Sequence, residues 1–126
     1  MSFSIDLNTL MTSDPSLNAY ANGGIHYENL PENFEITKDW IVYSFNKSSQ
    51  DFCLGSSPAI TRYNVYIKII STDTVRCEAM NDRTVAYLNG NTSGNIQDIR
   101  FVSDDHSVDL DKNIYMNSLN FEVLYA

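Results

Sequence analysis

The chain has 126 residues, enough for one compact domain spanning 1–126 that hides about two-thirds of the surface its unfolded form exposes. Sixteen acidic against eight basic residues give a formal charge of −8, which argues against electrostatic capture by nucleic acid or an anionic membrane. Hydrophobic residues make up 43%, yet no apolar run approaches the roughly 18 residues needed to cross a bilayer, so a globular protein without a membrane partner is expected.

In chain order, SIDLNTLMTSDPSLNAYANG places Ile5, Leu7 and Leu10 at helical spacing, predicting a helix of two to three turns that stops before Pro15. The N-terminus shows no basic stretch ahead of an apolar one, so no secretory signal is expected there. Gly23 and Gly24 break the chain. IHYENLPEN then offers a short edge strand with Ile25 and Tyr27 on one side, closed by Pro31. KDWIVYSFNKSS sets Ile41, Tyr43 and Phe45 against Trp40, Val42 and Ser44; both faces are largely apolar, the pattern of a strand inside a sheet.

The Ser- and Gly-rich NKSSQDFCLGSSPA reads as a long hairpin connection. It leads into ITRYNVYIKIIS, where Tyr63, Val65, Ile67 and Ile69 point one way and Arg62, Asn64, Tyr66 and Lys68 the other. Ser71, Thr72 and Asp73 are all suitable N-caps for a helix over about 73–88, ended by Asn89 and Gly90. Its Cys77, Met80, Thr84, Tyr87 and Leu88 form one stripe, the natural cover for the greasy face of the strand before it. IQDIRFVSD is a further strand, SDDHSVDLDKN is expected to turn the chain around, and YMNSLNFEVLYA closes as an amphipathic strand. The sum is an α+β domain: a mostly antiparallel sheet of four to five strands with the main helix and a short N-terminal helix packed on it.

Chemistry is sparse. Neither GxGxxG nor GxxxxGK[ST] occurs, and no cofactor is implied. Asp104, Asp105, His106, Asp109 and Asp111 are acidic enough to suggest a divalent cation, but the calcium-loop spacing and its central Gly are missing, so a solvated turn is the expectation and no metal is assigned. His26 and His106 stand in no motif with a nucleophile, and the pairs Glu28 with Glu32 and Asp109 with Asp111 need a cleft to act as acid and base. Cys53 and Cys77 lack metal-ligand spacing and are expected as plain thiols in the cytoplasm, where the Asn-x-Ser triplets at Asn46 and Asn91 carry no sugar. No catalytic residue is assigned. Candidate subunit contacts are Phe52 and Leu54, apolar in a polar loop, with Arg62 and Tyr66 on the wet side of the strand that follows.

Several stretches together resemble a known family. A short N-terminal helix leads to IHYENLPEN, then DWIVYSFNKSS, then ITRYNVYIKIIST running directly into CEAMNDRTVAYLNG, and finally NSLNFEVLYA. In this order they resemble the tail terminator, or tail completion, proteins of long-tailed, siphovirus-like bacteriophages. Asp39 and Trp40 stand where that family's strand often begins with Pro, which puts the geometry of that strand's start in question.

The resemblance implies a non-enzymatic virion protein that forms a ring, usually of six copies, on the head-proximal end of the tail tube. Such a ring ends tube polymerisation and docks the head or neck. The implied partners are further copies of the chain, the tail tube protein and a neck or head completion protein, with DNA passing through the lumen unbound. Assembly would occur in the host cytoplasm and the product would reside in the virion tail or neck. A head completion or other neck connector protein is the alternative, and a small hydrolase-type enzyme using His26 or His106 is a third reading.

Overall fold

The computed structural model describes residues 3–30, 35, 37–52, 58–92, 94–110 and 113–126, with only the backbone of 49–52, 58 and 59 included. The elements run α1 (Phe3–Thr12), α2 (Pro15–Tyr20), β1 (Gly24–Tyr27), β2 (Trp40–Phe52), β3 (Pro58–Ser71), α3 (Thr74–Leu88), β4 (Ile96–Asp109) and β5 (Ile114–Tyr125). They build one five-stranded sheet in the order β1-β2-β3-β5-β4. The two central pairs and the β4 pair are antiparallel, while β1 runs parallel to β2. Because β5 lies between β3 and β4, the β3-α3-β4 segment is a crossover that lays α3 over one face of the sheet.

That face holds the core. Val65, Ile67 and Ile69 of β3, Leu119, Phe121 and Val123 of β5, Ile41 and Tyr43 of β2 and Ile96 and Ile99 of β4 are all buried. Leu7, Leu10 and Met11 of α1, Leu17 of α2, and Cys77, Met80 and Leu88 of α3 meet them from the helical layer. Each fully buried aliphatic side chain contributes about 1.5–3 kcal/mol, which is what the alternation in β3 and the stripe on α3 were built to supply. Polar groups inside this layer are paired: Tyr43 donates to Asn8 Oδ1 at 2.7 Å, and Tyr125 to Asp6 Oδ2 at 2.6 Å. The Asp39 carboxylate takes Ser71 Oγ at 2.6 Å and the Arg76 guanidinium.

The α3 boundaries follow their chemistry. Asp73 caps the start, accepting from Val75 N–H at 2.9 Å. At the far end Asn89 closes the helix onto Val85, and Gly90, at φ +78°, turns the chain so that its N–H reaches Ile99 O at 2.7 Å.

Three expectations are corrected. Pro15 does not only end the first helix; it also opens α2 as its first residue, where its missing N–H costs nothing, with Asp14 as the cap. The stretch NKSSQDFCLGSSPA is not one long connection, since β2 runs through Phe52 and β3 starts at Pro58, and residues 53–57, Cys53 and Leu54 among them, lie outside the described residues. The stretch SDDHSVDLDKN is mostly strand: residues 103–109 continue β4 in register with β5. Ser48 in β2 and Val102 in β4 are extra residues that shift the register by one, so the alternation read from the sequence breaks there.

Candidate assembly surface

The helices cover one face of the sheet and leave the other bare. On that bare face stand Val42 and Ser44 from β2, Arg62, Tyr66, Lys68 and Ile70 from β3, and Met116, Ser118, Asn120 and Glu122 from β5, fixed there by the two-residue period and the register of the strands. Its middle is hollowed into a groove of about 610 Å³, with Lys68, Val42, Ile70 and Met116 along the floor and Glu28 and Asp105 on opposite rims. Tyr66 is 41% exposed.

One end of the bare face is held by charge. Glu122 Oε1 lies 2.9 Å from Arg100 Nη2 and 3.4 Å from Arg62 Nη1, a carboxylate shared between β4 and β3 across β5. Exposed pairs of this kind contribute about 0.2–1 kcal/mol each, so the triad aligns strands more than it stabilises them.

Two hairpin arms turn at opposite ends of the sheet. The β2-β3 arm carries Phe52, which pairs with Pro58 in the ladder; its side chain, like all of Leu54, lies outside the described residues. Arg62 and Tyr66 share the bare face of β3, four residues or about 13 Å apart. The β4-β5 arm projects at the opposite end. There Val108 and Leu110 are 50% and 86% exposed, the second just past the end of β4; Val102, at the register shift midway along β4, is 53% exposed.

A second hollow, about 550 Å³, lies between the start of α3 and this arm, lined by Cys77, Glu78, Asp82, Asp104, His106 and Asn117 among others. It brings a thiol, a histidine and carboxylates into one neighbourhood. Its thiol and its histidine are nonetheless engaged in other contacts. Cys77 donates to Tyr115 O at 3.9 Å, and burial, with the Asp39 charge behind it, pushes the thiol above its ordinary range, so it stays protonated at neutral pH and is a poor nucleophile.

His106 is hydrogen-bonded through Nδ1 to Asn117 Oδ1, and its Nε2 lies 3.9 Å from Asp104. His26 rests on the Trp40 indole, 5.4 Å between ring centres, with Nε2 3.2 Å from Gly23 O. Among the described residues no group of three or more His, Cys, Asp or Glu side chains is placed to hold a metal ion. No described helix is long and apolar enough to cross a membrane.

Sequence reasoning named Arg62 and Tyr66 as candidate contacts, and both stand on the bare face; it did not name Lys68, Met116 or the exposed Leu110. The first two were legible as outward positions of their strands. Leu110 sat inside a run of aspartates that read as a turn.

No protein-family model matches this sequence, and no curated protein does. Among solved structures, a chain of the "Virion of native gene transfer agent (GTA) particle" superposes with a TM-score of 0.72 at 11% sequence identity, covering 98% of this chain and 94% of that one. At that identity the likeness is one of fold, and it extends over nearly the whole of both chains.

Proposed function

We propose that this chain is a structural subunit of a tailed-phage-type virion. In this reading six copies join in a ring on the head-proximal end of the tail tube, stop tube polymerisation there, and present the docking surface for the head or neck. The observation that carries the reading is the fold shared from end to end with a chain of a gene transfer agent virion, at a TM-score of 0.72. The bare sheet face and the two arms at opposite ends of the sheet agree with it, since a subunit that works by touching copies of itself needs surface left uncovered by its own chain.

Phe52, Leu54, Arg62 and Tyr66 belong to the copy-to-copy contact. The role needs no catalysis, which agrees with a protonated Cys77 and two histidines engaged in local packing and hydrogen bonds. The formal charge of −8 suits a ring through which DNA slides without being held.

Electron microscopy of virions assembled with and without the protein tests the proposal. Loss of a terminator gives tubes of uncontrolled length. Tails of normal length beside unjoined heads would identify a neck connector instead, and unaltered particles would end both readings. The contact is tested separately: Phe52→Asp with Leu54→Asp should raise the concentration needed for ring formation by about tenfold or more, given the burial two such side chains stand to lose, with an unchanged circular dichroism spectrum. Assembly at the wild-type concentration would remove this arm from the contact.

A further inference from the structure

β4 closes one side of the sheet, and the chain itself finishes its outer edge over only part of its length. Gly90 N–H reaches Ile99 O at 2.7 Å and Phe101 N–H reaches Asn89 Oδ1 at 3.0 Å, so the α3-β4 connection covers the edge as far as Phe101. Beyond the register shift at Val102, residues 103–108 pair with β5 on one side, and among the described residues no main-chain group pairs with them on the other. All of them are exposed. In an antiparallel ladder every second residue turns its N–H and C=O away from its partner strand, so this stretch, about 20 Å long, leaves about three residues of ladder open.

Charge decides what can use it. A strand laid on that edge sends alternate side chains to the two faces of the sheet. On the helical side they meet the hollow of about 550 Å³, whose lining includes Glu78, Asp82 and Asp104 and, among the described residues, no Lys or Arg. On the bare side they meet Asp105, opposite Ser118 in the ladder. Residues 101–111 hold no Lys or Arg at all.

A second copy is a poor occupant. The other long edge, β2 past Tyr43, where its pairing with β1 stops, carries one Lys and one Asp over residues 44–52, and each copy brings a formal −8. Exposed charges on an edge strand keep like strands from pairing with it, and the same charges select a strand of opposite sign.

We infer that residues 103–108 are a docking edge for an extended, lysine- or arginine-rich segment of another protein, which adds a strand beside β4. Its main chain completes the open ladder, and its cations meet Glu78, Asp82 and Asp104 on one face and Asp105 on the other. The inference goes beyond the ring reading and does not depend on it, because the β2-β3 arm assigned to the copy-to-copy contact turns at the opposite end of the sheet.

The test titrates the isotope-labelled full chain with an acetylated, amidated decapeptide of alternating lysine and threonine. Amide resonances of residues 103–108 should shift and their hydrogen exchange should slow, with a Kd of about 0.1–1 mM. A decapeptide of alternating lysine and proline has the same charge but lacks every second N–H, and it should bind at least about tenfold more weakly. Glu78→Gln, Asp82→Asn and Asp104→Asn together should weaken the lysine-threonine peptide by about tenfold, with an unchanged circular dichroism spectrum.

Equal binding of the two peptides would mean attraction by charge without an added strand, and it overturns the inference. Shifts centred outside 103–108, no shift at all, or an affinity that the triple substitution leaves unmoved overturn it as well. Concentration-dependent shifts of 103–108 in the chain alone would give the edge to a second copy and end the proposal for a basic partner. The ring reading is decided separately, by tube length in the imaging experiment.

Discussion

Asp14 shows how much of this fold passes through single carboxylates. Its side chain, only 5% exposed, caps α2 by accepting from Leu17 N–H at 3.3 Å and takes two guanidinium N–H groups of Arg83 at 2.8 and 2.9 Å, tying α2 to α3. The hydrogen bonds from Arg83 hold its acid below the usual carboxylate range, against a desolvation cost that pulls the other way. Asp14→Ala should therefore cost about 0.5–2 kcal/mol at neutral pH from the lost cap alone. A lowered folded-state pKa means the unfolded chain binds the proton more readily, so the charged contribution is complete above about pH 4 and is lost as pH falls through the folded value. Urea midpoints of the two proteins should stay well apart at pH 7 and draw closer at pH 3; a gap that stays constant between those pH values would show that the Arg83 pair contributes nothing.

At the scale of elements, α1 carries an aromatic anchor at its start, beside the buried Leu7, Leu10 and Met11. Phe3 stacks on Tyr63 at 3.8 Å between ring centres and meets Phe45 and Tyr125 edge-on at 5.0 and 5.1 Å. Phe3→Ala should cost about 3 kcal/mol and release amide protons of residues 3–12 to faster hydrogen exchange, with α3 protected as before. Equal loss of protection across both helices would mean that the layer unfolds as one unit.

The same elements show what the sequence could disclose. The β3 alternation and the α3 stripe were readable because each has one buried face and one wet one, so burial leaves its period in the residue types. The outer half of β4 was not. Val102 shifts the register by one, Ser103–Val108 are exposed on both faces, and their strand conformation comes from pairing with β5 and not from any hydrophobic period. The short edge strand β1 was expected from IHYENLPEN, but its parallel direction, set by its register against Trp40–Tyr43, is a tertiary fact with no local signature. The bare face was legible as outward-pointing residues, whereas its groove forms only once the sheet is assembled.

For the whole molecule, charge and shape compete. Each copy carries a formal −8, and bringing copies together concentrates that charge, while a contact between copies offers only short-range attraction in return. At 0.1 M salt the Debye length of about 10 Å lets neighbouring copies feel much of this repulsion; at 1 M it shrinks to about 3 Å. Eight like charges per copy outweigh an exposed pair worth about 1 kcal/mol or less, so added salt should favour assembly even though it weakens any such pair between copies. Sedimentation between about 0.05 and 0.5 M sodium chloride should show the self-association midpoint falling several-fold, and a fluorescent DNA duplex should remain unbound at every salt concentration, because a formal charge of −8 repels its phosphates. Assembly that dissolves as salt rises would mean that ion pairs dominate the contact, and retention of the duplex at low salt would contradict a lumen that lets DNA pass.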